Sequence, residues 1–312
     1  MTISLISDIN ASAPGLPIRV RDNYLSGLPQ VSQDVVDGLF LFSTDHPFSW
    51  PKQGQPLAAD VVRNLAGIDD GVVAVETQSS SGPLAWDAAT KSVSFAAVKR
   101  GATGFRTPAN FIADEFTDAQ NFLLGAVVKL PTLASWPVSK GSVNGVAGDS
   151  SSVSGPPDNQ VWFGSIAMVR GNDSGNSGAG NRALWFSNAT SAGAAQTLQI
   201  GEAAGESLAD LAGRWCLLAT WRTAAQRGMY AAPIADSASP VVKTASDVTA
   251  NTNSLAGRRM TWGIEGRSST TENYTHFIGR GFLENLAKTG RDPIAVLNAE
   301  RLRIRARNLW VA

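Results

Sequence analysis

Short apolar runs, each closed by Gly, Pro, Asn, Asp or Ser, recur along the chain from residue 38 onward. The clearest are GLFLFS (38–43), GVVAVET (71–77), SVSFAAV (92–98), NFLLGAVVKL (121–130) and VWFGSIAMV (161–169). RALWFS (182–187), TLQI (197–200), RWCLLATW (214–221), GMYAAPI (228–234), TWGI (261–264) and THFIGRGF (275–282) follow. Many short strands with turn residues between them predict a sandwich or barrel. In RWCLLATW, Trp215, Leu217, Ala219 and Trp221 share one parity, so a strand puts all four on one face, read as the core face. Cys216 then points the other way with Leu218 and Thr220.

Helical signals are few. LAADVVRNLAG (57–67) is compatible with one short helix ended by Gly67. Asp292 followed by Pro293 is a stronger start signal, a capping carboxylate ahead of a residue whose ring presets the first turn. The tail RLRIRARNLWVA (301–312) reads either as the end of that helix or as an extended strand with one basic and one apolar face. Residues 1–35, punctuated by Pro14, Pro17 and Pro29, read as an arm, and residues 36–312 as one domain. Two Ser/Gly-rich stretches, 140–159 and 170–182, read as long loops.

Composition narrows the function classes. The 312 residues are 43% hydrophobic and only 17% charged, with formal net charge zero. Nothing in that balance draws nucleic acid or an anionic membrane. No run is long and apolar enough to span a bilayer, and the N-terminus lacks the basic and apolar regions of a signal peptide. A lone cysteine excludes an intrachain disulfide, in keeping with assembly in a reducing cytoplasm.

Candidate chemistry is sparse. Two histidines and one cysteine do not make a zinc site of the usual N/S type. The best local set of hard oxygen donors, suited to calcium, is Asn172, Asp173 and Asn176, and no other cofactor is implied. Asn172-Asp173-Ser174-Gly175 with the upstream His46 is only superficially like a serine-protease constellation. Glycosidic cleavage needs two carboxyl groups across a cleft. Asp114, Glu115, Glu265 and Glu272 are present, but no motif singles out a pair. Trp162, Trp185 and Trp262 lie near predicted loops and are candidates to stack on sugar rings, although for any one tryptophan core burial outranks ligand contact.

The order of these pieces resembles a known superfamily. ANFIADEFTDAQNFLLGAVVKLP (109–131) is similar to the opening strand of concanavalin-like or laminin-G-like jelly rolls. GRWCLLATW and GMYAAPIAD resemble its central strand and hairpin partner, and HFIGRGFLENLAKTGRDPIAVLNAERLR its closing strand and helix. GLFLFSTDHPFSWPKQGQPLAADVVRNLAGI loosely resembles the opening of lectin-like domains in bacteriophage virion proteins. The resemblance implies an all-β jelly-roll β-sandwich with a short C-terminal helix. It implies a non-enzymatic tail, fibre or baseplate component, assembled in the host cytoplasm. Its expected partners are other virion subunits, copies of itself and a host-surface glycan. A free carbohydrate-binding lectin and a polysaccharide-degrading enzyme remain the alternatives.

Overall fold

The computed structural model describes residues 39–66, 69–75, 84–96, 103–116, 120–137, 143–151, 161, 163–170, 181–191, 194–202, 205–235, 238–264, 274–308 and 310–311. The arm at 1–35 and most of the two Ser/Gly-rich stretches lie outside them.

Two antiparallel sheets, each of eight strands among the described residues, pack face to face as a jelly-roll β-sandwich. The first sheet contains β1 (Leu39–Ser43), β4 (Ala85–Asp87), β5 (Ser92–Ala96), β7 (Phe122–Lys129), β12 (Trp215–Arg222), β13 (Arg227–Pro233), β14 (Val241–Ala245) and β16 (Thr275–Asn285). The second contains β2 (Val61–Val62), β3 (Gly71–Ala74), β6 (Thr103–Arg106), β8 (Val143–Ser151), β9 (Gly164–Arg170), β10 (Arg182–Ser191), β11 (Ala194–Gly201) and β15 (Arg258–Ile264). The first sheet runs β14-β13-β12-β7-β16-β5-β4, with β1 beside β16. The second runs β11-β10-β9-β8-β15-β6-β3-β2.

The space between the sheets is filled by one apolar cluster containing Phe40, Phe42, Leu124, Ile166, Phe186, Cys216, Leu218 and Trp262. A second cluster covers the outer face of the first sheet. It contains Leu39, Val127, Trp215, Leu217, Trp221 and Tyr230, under Leu297, Ile304 and Trp310. The middle of the first sheet is therefore buried on both sides, and every residue of β12 is buried. This corrects one sequence reading. Trp215, Leu217, Ala219 and Trp221 do share a face, but it is the outer one. The residues facing the second sheet are Cys216, Leu218 and Thr220.

The covering layer is α3 (Pro293–Ala306), which starts as its sequence predicts. Asp292 is the N-cap, its carboxylate accepting from the Ala295 N–H at 2.7 Å, and Pro293 opens the helix. The tail is thus helical through Ala306, and Trp310 folds back against Trp215 with ring centroids 5.7 Å apart. Gly279 lies under the Trp310 indole, where a Cβ would come within 2.5 Å of the ring. A four-residue helix, α2 (Leu286–Thr289), joins β16 to this layer, and α1 (Phe111–Glu115) precedes β7.

Two further expectations are overturned. Residues 57–66 form no helix: Ala59 takes a left-handed backbone (φ 66°), and Val61–Val62 pair with β3. Within the presumed loop 140–159, Val143–Ser151 is a strand joining β9 to β15. Its sequence, VNGVAGDSS, has too little apolar alternation to announce a strand, and pairing on both sides stabilises it instead.

Candidate ligand face

Of the two outer sheet faces, α3 closes the first with polar bonds as well as apolar contact. Arg280 Nε lies 2.6 Å from Glu300 Oε1, both side chains fully buried, and Arg303 reaches the same carboxylate at 3.0 Å. Arg301 Nε donates to the Pro233 carbonyl at 2.9 Å. Tyr230, whose hydroxyl donates to Asn298 Oδ1, has its pKa raised by burial, which outweighs the nearby Arg301 charge. Arg307 pairs with Asp45, and Trp310 Nε1 donates to the Thr90 carbonyl at 2.9 Å. Charges this buried are held only where they are paired and hydrogen-bonded.

The outer face of the second sheet has a different composition. One row across it runs Thr197, Ser187, Ser165, Gly148, Thr261 and Arg106. The adjacent row runs Gln199, Trp185, Ala167 and Gly145. Small side chains occupy its middle, and Ser165, Ala167 and Ser187 are buried. Toward the β11 edge Trp185 and Gln199 are half-buried and Thr197 is exposed. The Trp185 Nε1–H donates to Gln199 Oε1 at 3.0 Å, which fixes the indole, and Ser187 Oγ lies 2.9 Å from Thr197 Oγ1. A tied indole beside an alanine offers an apolar ring surface next to amide and hydroxyl groups, a combination suited to a sugar.

The three candidate tryptophans separate. Trp185 stands on this face. Trp262 does not: it is fully buried between the sheets, stacked on Phe40 at 5.8 Å, with Nε1 donating to the Gly125 carbonyl at 2.9 Å. Its parity on β15 points inward, so it is a core residue and not a ligand contact. Trp162 and the calcium candidates Asn172, Asp173 and Asn176 lie outside the described residues, as do Glu265 and Glu272. Among the described residues no group of three or more His, Cys, Asp or Glu side chains is arranged to hold a metal.

Of the other candidates, Asp114 is exposed on α1, and the rest have structural partners. Glu115 pairs with Lys288 at 2.8 Å, bracing α1 against α2. His46 Nδ1 accepts from the Phe48 N–H at 3.2 Å, and the adjacent Asp45 carboxylate is taken up by Arg307 and Ser43. The Asp45 carboxylate is thus committed to holding the chain in place. Sequence reasoning gave no role to His276, which is fully buried between Phe95 and Tyr274, with Nε2 3.0 Å from the Gly263 carbonyl. Burial lowers its pKa to about 4, against the opposing pull of that carbonyl, so at neutral pH the ring is uncharged in the folded protein.

No protein-family model matches the chain. No curated protein matches it either. Solved structures do match. One is of botulinum neurotoxin type C, whose uptake by cells depends on interaction with two ganglioside molecules, at 11% identity and a TM-score of 0.45, over 78% of this chain and 50% of that one. The receptor-binding domain of botulinum neurotoxin type G matches at 8% identity and 0.45, over 86% and 51%. An arabinofuranosidase complexed with arabinofuranosyl-alpha-1,2-xylobiose matches at 12% identity and 0.44, over 77% and 50%. The chain spans about half the length of each of these structures.

Proposed function

We propose that this chain is a non-enzymatic, glycan-binding structural subunit of a bacteriophage virion, in the tail, fibre or baseplate, with Trp185 as its sugar platform. The observation that carries the glycan part is the Trp185 indole, half-buried on the outer face of the second sheet and held by Gln199. A ring held in one orientation loses little conformational freedom when a sugar stacks on it. The placement in a virion is supported by the sequence pattern of residues 38–68, and residues 1–35 serve as the anchor to neighbouring subunits.

Two measurements test this reading. A glycan panel probed with the wild-type protein and with Trp185→Ala should give binding that the substitution lowers at least tenfold, while the melting temperature changes little. Undiminished binding by Trp185→Ala would rule out this platform. Mass spectrometry of purified particles should detect the chain at several copies per particle. Glycan binding without particle association would leave a free lectin.

A further inference from the structure

An antiparallel sheet ends in strands whose outward N–H and C=O groups invite another strand, and proteins generally block such edges. Three of the edges here are blocked by the chain's own groups. Along β1, Asn64 acts as a surrogate strand: its Oδ1 accepts from the Leu41 N–H at 3.0 Å and its Nδ2 donates to the Leu39 carbonyl at 3.2 Å. Gln55 does the same for β4, accepting from the Trp86 N–H at 3.1 Å and donating to the Leu84 carbonyl. On β11, Gln196 binds the Asp247 carbonyl, and Lys243 Nζ donates to the Gln199 carbonyl at 2.7 Å. The edge strand β2 is only two residues long.

Among the described residues, β14 differs from all of these. It runs five residues, Val-Val-Lys-Thr-Ala, pairs with β13 on one side, and leaves Val241 and Thr244 exposed. Val241, Val242 and Thr244 favour extended structure. We propose that β14 is a docking edge for a second copy of this chain, the two β14 strands pairing antiparallel about a two-fold axis at Lys243.

The charge arrangement suits this occupant. Two-fold pairing is self-complementary. It sets Val241 opposite Ala245, Val242 opposite Thr244, and Lys243 opposite its own mate. Two facing lysines would ordinarily repel. Here each Lys243 turns toward its own second sheet, where Glu206 Oε1 lies 2.5 Å from Nζ. Each copy thus neutralises its own central charge, and the remaining facing pairs are uncharged. Val242 already packs against the apolar cluster on the outer face of the first sheet, so pairing carries that layer on into the second copy. A five-residue ladder is a small interface, so the dimer is weak and visible only at high protein concentration.

Sedimentation velocity from about 5 to about 500 µM should show a monomer converting to a dimer. Hydrogen exchange at the two extremes should show the amides of residues 241–245 slowing as the dimer forms. Val241→Lys/Ala245→Lys, which sets like charges opposite one another twice, should stay monomeric with an unchanged far-ultraviolet spectrum. Val241→Glu/Ala245→Lys, which sets opposite charges there, should dimerise again. A wild-type monomer at every concentration overturns the proposal, as does slowed exchange at another surface alone. A dimer lost on deleting residues 1–35 also overturns it, because the arm would then be the occupant.

Discussion

Arg280 Nε and Glu300 Oε1 lie 2.6 Å apart with both side chains wholly out of solvent, joining the central strand of the first sheet to the helix that covers it. Removing one partner leaves the other charged and buried. Arg280→Met should cost about 3–5 kcal/mol of folding stability, the usual size for breaking a buried pair from one side. Arg280→Met combined with Glu300→Leu should recover much of that loss, although Arg303 then loses its partner too. Urea unfolding of the three proteins checks this, and additive losses would show that the two residues are not coupled.

The tryptophans give a contrast within one residue type. Trp262→Ala removes a large side chain from between the sheets, together with its bond to the Gly125 carbonyl, and should cost about 3–5 kcal/mol. Trp185→Ala removes a half-buried ring from an outer face, so its stability loss should be far smaller. Thermal melts of the two variants should differ clearly, and equal losses would contradict the facing assigned to β10 and β15.

His276 makes stability depend on pH. Its folded-state pKa, about 4, lies below the ordinary value of 6.5, so the unfolded chain takes up the proton first as pH falls. Stability is at its full value above about pH 6.5 and declines toward pH 4 by roughly 1.4 kcal/mol per pH unit at most. His276→Gln keeps a donor for the Gly263 carbonyl and does not titrate. Its unfolding free energy should therefore vary less with pH across this window than that of the wild type. Parallel pH profiles would show that His276 is not the group responsible.

Close packing on the outer face of the first sheet leaves no room at two further glycines. A Cβ on Gly228 would sit 2.0 Å from the Trp221 ring, and one on Gly125 2.0 Å from the Phe282 ring. Gly228→Ala and Gly125→Ala should each destabilise by about 1–3 kcal/mol through overpacking. Denaturant midpoints measure this, and an unchanged midpoint would mean that the rings have space to move aside.

Much of this architecture was legible because strand and cap signals are local. Asp292-Pro293 marked the start of the covering helix, and the alternation in RWCLLATW grouped the right side chains together. What local pattern lacks is the identity of the face. Every residue of β12 is buried, so alternation could not tell which set looks toward the other sheet. Trp185 and Trp262 both sit in short apolar runs, RALWFS and TWGI, and only the register with their neighbours turns one outward and the other inward. Val61–Val62 was hidden for a related reason: its segment has helix-like apolar spacing, but the left-handed turn at Ala59 and pairing with β3 override it.

The position of β16 also bears on how the chain is made. This strand lies between β7 on one side and β5 and β1 on the other, yet all three leave the ribosome long before it does. Until residues 275–285 emerge, β7 and β5 have no partner to join them, and the apolar side chains of β12 wait without their cover. Synthesis thus produces a long, unclosed intermediate that must be kept from aggregating until its last strand arrives. A nascent chain stalled before residue 275 should be protease-sensitive throughout its first sheet, and one released after the covering helix should not.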